Sequence, residues 1–382
     1  MMKIGIALGG YYKERMRKSN RSQQGGAEIQ TGFLIEEFLK RGHEVVYFSY
    51  GDENRIEPVI QEDSLKVYQI KRPYKNIKAL NYLNRYFLYK IIDMEGPDVL
   101  YQRGDFHFSD LISSYGKKKG IPVISGLSME KHCYKEKVKL DLSFPLSILE
   151  RFLRIRYYRR SNLIISQSVD QQKLFRRNFN MDSVVISNGH SIGGVPLEKE
   201  VPPLIVWIAN IKPIKQPEIF IELARSCSDL DAKFVMVGRP MLGPDQVELE
   251  KKIEDVSNLE YRGELPLPEA EDLISRASIL VNTSESEGFS NTFLQAWMSG
   301  IPVVSLNSDP DDVIKRNKIG FQSGSFQQMI EDVRSLINNE DMRKGIGKRA
   351  RDYFIENHDI RVIADRHLSQ FHMLLNRDRK VG

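Results

Sequence analysis

Short apolar runs alternate with amphipathic stretches along most of the chain, and this pattern predicts strands separated by helices. In the first half, the apolar runs predict strands at Lys3–Leu8, Glu44–Phe48, Leu65–Ile70, Val99–Tyr101, Pro122–Ser125, Leu163–Ser166 and Ser183–Ile186. The stretches with helical spacing between them are Gly26–Arg41, Ile77–Ile92, Phe108–Lys119, Ser143–Arg160 and Val169–Asn178. Strands that alternate with helices of this length indicate βαβ units and a parallel sheet.

The second half of the chain repeats this alternation. It predicts strands at Leu204–Ile208, Lys233–Val237, Leu259–Tyr261, Ile279–Val281 and Pro302–Ser305. The predicted helices are Pro217–Ser226, Asp245–Val256, Leu267–Ser275, Asn291–Ser299, Ser325–Asn338 and one last helical stretch, Asp341–Leu375. A second parallel sheet is therefore expected.

A segment rich in glycine and proline, Asn188–Pro203, interrupts the alternation and has no apolar period. Such a segment is typical of a linker. We therefore expect an α/β fold in which two Rossmann-like domains face each other across a cleft. Residues 1–187 form the first domain, 188–203 the linker and 204–356 the second domain, and a helix at about 357–382 packs back on the first domain.

Charge and cysteine content narrow the function classes. Lys and Arg total 56 and Asp and Glu total 51, which gives a net charge of +5. This mild excess suits an anionic small ligand or an anionic membrane surface, and it is too weak to indicate nucleic acid. The two cysteines, Cys133 and Cys227, match no metal or disulfide spacing, which favours the cytoplasm. The chain shows no signal-peptide pattern and no apolar run long enough to cross a membrane.

Two basic and aromatic stretches, Tyr74–Lys90 and Phe144–Arg160, can lie on an anionic membrane. Their apolar spacing also fits ordinary packing against a sheet, which is the alternative. We therefore expect a cytoplasmic protein, and peripheral contact with the inner face of the membrane stays open.

The stretch Ser284–Gly300, SESEGFSNTFLQAWMSG, follows a predicted strand and opens a predicted helix that begins at Asn291. Ligands of parallel sheets bind at the carboxyl ends of strands, and helix N-termini attract anions. The backbone amides of Gly288, Phe289 and Ser290 are therefore candidates to hold a diphosphate. The alternative is a structural turn whose polar residues cap the helix.

Four side chains complete this candidate site. Glu287 can accept hydrogen bonds from sugar hydroxyls, and Gln295, two helical turns further on, can reach a ribose. Lys212 and Lys215 follow the strand Leu204–Ile208 and can neutralise the charge that develops on a departing diphosphate. The alternative for both lysines is a solvated loop.

A double glycine, Gly25 and Gly26, leads into the first helix and can bring backbone amides against a phosphate or sugar. A tight turn explains the same pair equally well. The dinucleotide fingerprint GxGxxG is absent after the first strand, GIALGGYY, which argues against a nicotinamide enzyme.

The segment Glu287–Val304, EGFSNTFLQAWMSGIPVV, resembles the donor-site motif of glycosyltransferase family 4, a retaining family of the GT-B fold. The family motif has an acid that faces the donor sugar and, eight residues later, a second acid that holds the ribose hydroxyls. Glu287 occupies the first position. Gln295 replaces the second acid and can still form a hydrogen bond, although it carries no charge.

Other positions match the family in part. Lys215 falls on the family's lysine, whereas Asn210 stands in place of its arginine and Lys212 can supply the missing charge without the bidentate fork. The family also has a Gly-Gly-Ala-Glu element that borders the donor phosphates and the acceptor, and Gly25 and Gly26 begin the matching element here.

The resemblance extends to the first domain. The family often carries a histidine after the strand Pro122–Ser125, where this chain offers Ser128 and, four residues later, His132. A surface histidine without this role is the alternative for His132. Arg103 ends another strand, and we expect it to face the cleft and contact an acceptor.

Three acids, Asp309, Asp311 and Asp312, lie near the predicted cleft and raise the question of a metal. Acids at this position also cap the following helix. We favour capping, and the family has an acidic loop here without an obligatory metal.

The sequence therefore predicts a retaining glycosyltransferase of the hexosyltransferase type. The donor is a nucleotide diphosphate sugar and the acceptor a glycan or a lipid-linked glycan, in surface polysaccharide or glycoconjugate synthesis. Neither a metal nor another cofactor is obligatory, because cations and amides can neutralise the leaving group. The alternatives are a GT-B nucleotide-sugar epimerase, a noncatalytic nucleotide-sugar binding protein and, least favoured, a dinucleotide oxidoreductase.

Overall fold

The computed structural model describes residues 1–8, 26–71, 81–104, 106–134, 144–192, 198–239, 244–287 and 289–378. These residues divide into two compact units. The first unit contains the described residues up to Asn188 together with those from Ile360 onward, and the second contains Gly189–Asp359. Gly25 and Gly288, two of the predicted site residues, lie outside the described residues.

The first unit is built on an eight-stranded sheet. Its strands are β1 (Lys3–Ala7), β2 (Glu44–Gly51), β3 (Ile60–Glu62), β4 (Leu65–Lys71), β5 (Val99–Arg103), β6 (Val123–Gly126), β7 (Leu163–Ser166) and β8 (Val184–Val185). They lie in the order β3-β4-β2-β1-β5-β6-β7-β8, and all neighbours are parallel except the antiparallel pair β3 and β4. The central strands are buried on both faces, as their continuous apolar sequences predict.

Helices cover both faces of this sheet. They are α1 (Gly26–Lys40), α2 (Asn81–Glu95), α3 (Phe106–Lys119), α4 (Phe144–Arg160) and α5 (Val169–Phe179). The helix α4, one of the two stretches for which membrane contact is an alternative, packs Tyr158 against Phe175 and Phe179 of α5. Its Phe152 is exposed.

The second unit is built on a six-stranded, fully parallel sheet. Its strands are β9 (Leu204–Ile208), β10 (Lys233–Val237), β11 (Leu259–Tyr261), β12 (Ile279–Asn282), β13 (Val303–Ser305) and β14 (Gly320–Gln322), in the order β11-β10-β9-β12-β13-β14. Its helices are α6 (Pro217–Ser226), α7 (Pro244–Glu254), α8 (Leu267–Arg276), α9 (Asn291–Met298), α10 (Val313–Asn317), α11 (Phe326–Asn338) and α12 (Glu340–Asn357). Two apolar clusters, one on each face of the sheet, form its core.

The last helix, α13 (Ile360–Asp378), belongs to the first unit and packs against α1. Phe371 is fully buried, and its ring centroid lies 5.9 Å from that of Phe38 on α1. Arg41, just after α1, is hydrogen-bonded to Asp365 of α13 at 3.0 Å. The first core is therefore completed by the C-terminal part of the chain.

The structure adds detail that the sequence did not predict. The helical stretch Asp341–Leu375 is divided into two helices, α12 and α13, and the break at His358 and Asp359 is where the chain passes from one unit to the other. The strands β3 and β14 were not predicted, because each is a three-residue edge strand with mixed polarity.

Within the described residues, no helix has both the length and the apolar composition needed to cross a membrane.

Candidate functional site

The strand order of the second sheet reverses between its central strands β9 and β12. In open parallel sheets, the carboxyl ends of the two strands at such a reversal flank the place where ligands bind. The loop after β9 carries Lys212 and Lys215, and the loop after β12 carries Glu287. The fold therefore brings these three residues, which the sequence singled out separately, to one edge of the sheet.

Lys215 and Glu287 form an ion pair, with Lys215 Nζ 2.5 Å from Glu287 Oε1. Two further groups donate to the same oxygen, Ser284 Oγ at 2.8 Å and Asn282 Nδ2 at 3.3 Å. In the described part of the chain, Glu287 Oε2 accepts no hydrogen bond and Lys215 Nζ has no second acceptor. The pair therefore has one carboxylate oxygen and two ammonium hydrogens left for a ligand.

A buried hydroxyl ties the two loops together below this pair. Thr283 Oγ1 donates to the backbone oxygen of Lys215 at 2.6 Å and accepts from Trp207 Nε1 at 2.9 Å. The backbone amide of Glu285 also donates to the backbone oxygen of Ile214 at 3.0 Å. Because Trp207 and Thr283 are buried, these bonds fix the backbone that carries Lys215.

The other cation of the loop is placed differently. Lys212 is exposed, and within the described ranges it forms no ion pair or hydrogen bond through its side chain. Asn210, which stands in place of the family's arginine, is exposed as well. The structure thus brings Lys215 to Glu287 but leaves Lys212 and Asn210 on the surface of the same loop.

The start of α9 combines a polar cap position with a buried ring. Ser290 is the N-cap residue, yet its side chain makes no capping bond, and its hydroxyl instead pairs with that of Thr292 at 2.8 Å. Asn291 is the first helical residue. Phe289 is buried, with its ring centroid 4.9 Å from that of His358. The loop is therefore anchored by an apolar side chain, and it is not closed by a serine cap.

Gln295 is buried on α9 and directs its amide toward a carboxylate that the sequence did not reveal. Its Nε2 lies 3.5 Å from Oε1 of Glu271 on α8, a long hydrogen bond, and the same oxygen lies 3.0 Å from His190 Nε2. In the sequence, Glu271 reads as one more acid on an amphipathic helix. Its proximity to Gln295 follows only from the packing of α8 on α9.

Three predicted residues lie at the carboxyl edge of the first sheet. The alternative of a surface histidine does not hold for His132, because its side chain is buried and its Nδ1 lies 3.2 Å from the backbone amide of Ser128. Burial, together with the positive charges of Arg154, Lys131 and Arg103, lowers the pKa of His132 to about 3. The ring is therefore neutral at physiological pH.

The side chain of Arg103 is also buried. Its Nη2 donates to the side-chain oxygen of Asn188, which follows β8. Gly26, the described member of the double glycine, is the exposed first residue of α1.

The acidic loop caps a helix, as the sequence favoured. Both carboxylate oxygens of Asp309 accept backbone amides, from Ile314 at 2.7 Å and from Lys315 at 3.1 Å. Asp311 and Asp312 adopt positive φ angles of 59° and 54° in the turn that precedes α10. Among the described residues, no group of three or more His, Cys, Asp or Glu side chains is arranged to hold a metal ion.

Two family models match the chain. The one described as Glycosyltransferase Family 4 matches residues 24–192, and the one described as Glycosyl transferases group 1 matches residues 202–339. A poly(ribitol-phosphate) alpha-N-acetylglucosaminyltransferase of Staphylococcus aureus is 26% identical over 203 residues, 50% of this chain and 40% of that relative. The chain therefore spans less than half the length of this relative.

Two further comparisons extend over most of the chain. An uncharacterized glycosyltransferase of Methanocaldococcus jannaschii is 24% identical over 340 residues, 84% of this chain and 88% of that relative. The Anabaena protein HepE, solved in complex with UDP-glucose, matches with a TM-score of 0.69 at 15% identity, over 98% of this chain and 100% of its own. The chain is therefore a glycosyltransferase of the GT-B fold, in which a Glycosyltransferase Family 4 region is followed by a Glycosyl transferases group 1 region.

Proposed function

We propose that this glycosyltransferase moves a sugar from a nucleotide diphosphate sugar to a glycan or lipid-linked glycan acceptor, with retention of the anomeric configuration, in surface polysaccharide or glycoconjugate synthesis. The observation that carries the proposal is the ion pair of Lys215 and Glu287 at the reversal point of the second sheet. A structural relative, the Anabaena protein HepE, was solved with UDP-glucose, which supports a nucleotide-sugar donor.

The ion pair offers a cation and a carboxylate within hydrogen-bonding distance of each other. In a nucleotide sugar, the sugar hydroxyls lie a few ångströms from the diphosphate. The unused hydrogens of Lys215 Nζ suit the diphosphate oxygens, and the unused Oε2 of Glu287 suits a sugar hydroxyl. Lys212, on the exposed part of the same loop, adds a second cation near the diphosphate.

The remaining donor contacts are assigned by position. Phe289, Ser290 and Asn291 lie at the N-terminus of α9, where the helix dipole favours the diphosphate, and Gly288 precedes them in the sequence. Gln295 holds the ribose, with Glu271 as the carboxylate that orients its amide. Gly25, Gly26 and Asn210 belong to the remaining donor contacts, and Arg103, Ser128 and His132 to the acceptor side.

In the reaction, the bond between the anomeric carbon and the diphosphate oxygen breaks, and the acceptor hydroxyl forms a new bond to that carbon. The nucleoside diphosphate leaves with the electron pair, and the proton of the acceptor hydroxyl passes to the departing phosphate oxygen. Lys215 stabilises the negative charge on that oxygen, because an ammonium group in a partly buried site interacts strongly with a developing anion.

The test is transfer from a panel of nucleotide sugars, scored by release of nucleoside diphosphate, with donors first ranked by thermal shift. We expect Lys215→Ala to lower kcat/KM by about 10- to 100-fold, the value of one charge-assisted hydrogen bond. The matched control is Lys233→Ala, because Lys233 is an exposed lysine at the amino end of β10, the opposite edge of the same sheet. Unchanged turnover in Lys215→Ala would remove the proposed role.

A further inference from the structure

Arg103 is the last residue of β5, and the strand order of the first sheet reverses between β1 and β5. The residue thus lies at the place in this sheet that corresponds to the ligand-binding edge of open parallel sheets. Its side chain is nevertheless buried, with 5% of the residue's surface exposed. The first unit therefore holds a guanidinium cation out of water at its own reversal point.

The hydrogen-bond partners of this guanidinium are neutral. Nη2 donates to the side-chain oxygen of Asn188, and the same oxygen lies 3.4 Å from Gln167 Nε2. The hydroxyl of Tyr101 also contacts the guanidinium, which opposes the rise that burial causes in the pKa of that hydroxyl. Nε of Arg103 is buried and has no hydrogen-bond partner among the described residues. An orphaned N–H on a buried cation is uncommon in folded proteins.

In the described part of the chain, no carboxylate lies within ion-pair distance of Arg103. Other arginines of the same unit do have such partners. Arg156 is paired with both oxygens of Asp110, and Arg41 with Glu37. Because a buried charge is costly unless it is paired, the missing anion calls for a partner from outside the described residues.

Polar groups surround the turn that follows Arg103. A side chain at Gly104 would lie 2.2 Å from Ser128 Oγ and 3.4 Å from His132 Cε1, so the backbone passes directly against both residues. His132 Nδ1 accepts from the amide of Ser128, which leaves the ring proton of neutral His132 on Nε2 as a donor. Among the described residues, the charges that shift the pKa of His132 are those of three cations, Arg154, Lys131 and Arg103, and all three lower it.

We propose that Arg103, with Ser128 and His132 beside it, binds an oxyanion, a phosphate or a carboxylate, carried by the acceptor substrate. The guanidinium is planar and can donate two parallel N–H bonds to two oxygens of such a group. Its Nε–H, which has no partner among the described residues, is one of these two donors. Nε2–H of His132 is a further donor, and the hydroxyl of Ser128, which lies 3.4 Å from His132 Nδ1, can rotate to donate to the ligand instead. This inference rests on the proposed function only in naming the acceptor as the carrier, since all three residues belong to the first unit.

The test measures binding of glucose 6-phosphate, glucuronate and glucose to the full chain by calorimetry, with a saturating nucleoside diphosphate present. The nucleotide occupies the phosphate-binding positions of the second unit, so that added oxyanions report on the first. The variants are Arg103→Gln and, as the matched control, Arg55→Gln, because Arg55 lies in the same unit, is exposed and pairs with Glu53.

We expect at least one of the two anionic sugars to bind the wild type and Arg55→Gln, and neutral glucose not to bind. Arg103→Gln should weaken that binding at least tenfold, which is the contribution of one charge-assisted contact. Glucose 6-phosphate alone would indicate a phosphate on the acceptor, and glucuronate alone would indicate a carboxylate. Equal binding by Arg103→Gln and the wild type, or no binding of either anion to the wild type, would overturn the proposal.

Two controls separate this outcome from others. Arg103→Lys keeps the charge without the fork, so if Arg103→Gln does not fold, a loss of oxyanion binding by the folded lysine variant carries the test. The proposed function is scored separately by binding of the nucleoside diphosphate itself. Failure of that step would remove the proposed donor site and leave the titration of the first unit with anionic sugars readable.

Discussion

Lys215 Nζ and Glu287 Oε1 lie 2.5 Å apart although the two residues are 72 positions apart in the chain. In the proposed complex, the diphosphate therefore approaches Lys215 beside the carboxylate of Glu287, and the sugar approaches Glu287 beside the ammonium group of Lys215. The two have opposite charges, so removing one changes the electrostatic potential felt by the other. We therefore expect Lys215 to act mainly on the diphosphate of the donor and Glu287 mainly on its sugar.

Removing the carboxylate should separate nucleotide binding from sugar transfer. In Glu287→Ala, we expect the affinity for a nucleoside diphosphate to stay equal or to rise about two- to tenfold, because Lys215 no longer has a competing anion. Transfer from the nucleotide sugar should fall at least tenfold, because the sugar hydroxyl loses its acceptor. Calorimetry with the nucleoside diphosphate and a transfer assay measure the two quantities.

The control for this variant is Glu285→Ala. Glu285 is the other acid of the loop and is exposed, and its backbone amide contacts Ile214, which the substitution preserves. It should resemble the wild type in both assays. A parallel fall of nucleotide affinity and transfer in Glu287→Ala would contradict this division of roles.

The hydroxyl group of Thr283 should contribute more to the stability of the protein than its methyl group does. Thr283→Val leaves the indole N–H of Trp207 and the backbone oxygen of Lys215 without this partner, and we expect the free energy of unfolding to fall by about 2–4 kcal/mol. Thr283→Ser keeps the hydroxyl and should lose about 1 kcal/mol or less. Urea denaturation measures both variants, and equal losses would show that the bridge is not what stabilises the loops.

Protonation of His132 should destabilise the protein in mild acid. The pKa of His132 is about 3 in the folded protein and that of an unfolded histidine about 6.5, so the unfolded chain binds the extra proton between these values. The stabilisation is complete above pH 6.5 and is lost as the pH falls toward 3. Between pH 6.5 and 5, the wild type should lose about 2 kcal/mol more stability than His132→Gln.

Denaturation curves of the wild type and of His132→Gln at these two pH values measure the effect. Identical slopes for the wild type and His132→Gln would contradict burial of a neutral ring at this position.

The core between α1 and α13 should depend on Phe371. Phe371→Ala removes a ring that is fully buried against Phe38 and Tyr101, and we expect a loss of about 3–5 kcal/mol in the free energy of unfolding of the first unit. Hydrogen exchange should accelerate for the amides of β1 and not for those of β9. Met373→Ala, at an exposed position of the same helix, is the control, and equal exchange in the two variants would contradict the assignment.

The sequence predicts a strand well when its apolar run is short and nearly continuous. The strands Leu163–Ser166, Leu204–Ile208 and Lys233–Val237 match their predicted bounds for this reason. The break between α12 and α13 could not be read from the spacing of apolar residues. Neither helix contains proline, and the polar, helix-compatible pattern of the sequence runs on through His358 and Asp359.

The site shows the same division between local and distant information. The sequence marked Lys215 and Glu287 individually, because each follows a predicted strand. It could not show that they touch, since that contact depends on the pairing of β9 with β12 and on the bonds made by Thr283. Nor could it show that Glu271 lies beside Gln295 or that His132 is buried, because both follow from helix packing.

The placement of α13 bears on the order in which the two units fold. During translation, the ribosome delivers the eight described strands of the first unit before Gly189–Asp359, whereas Ile363, Phe371 and Leu374 follow that segment. Among the described residues, the second unit is one continuous segment of chain, and its core does not need α13. In a released chain that ends at Asp359, protease should therefore spare the second unit and cut the first, whose core lacks α13.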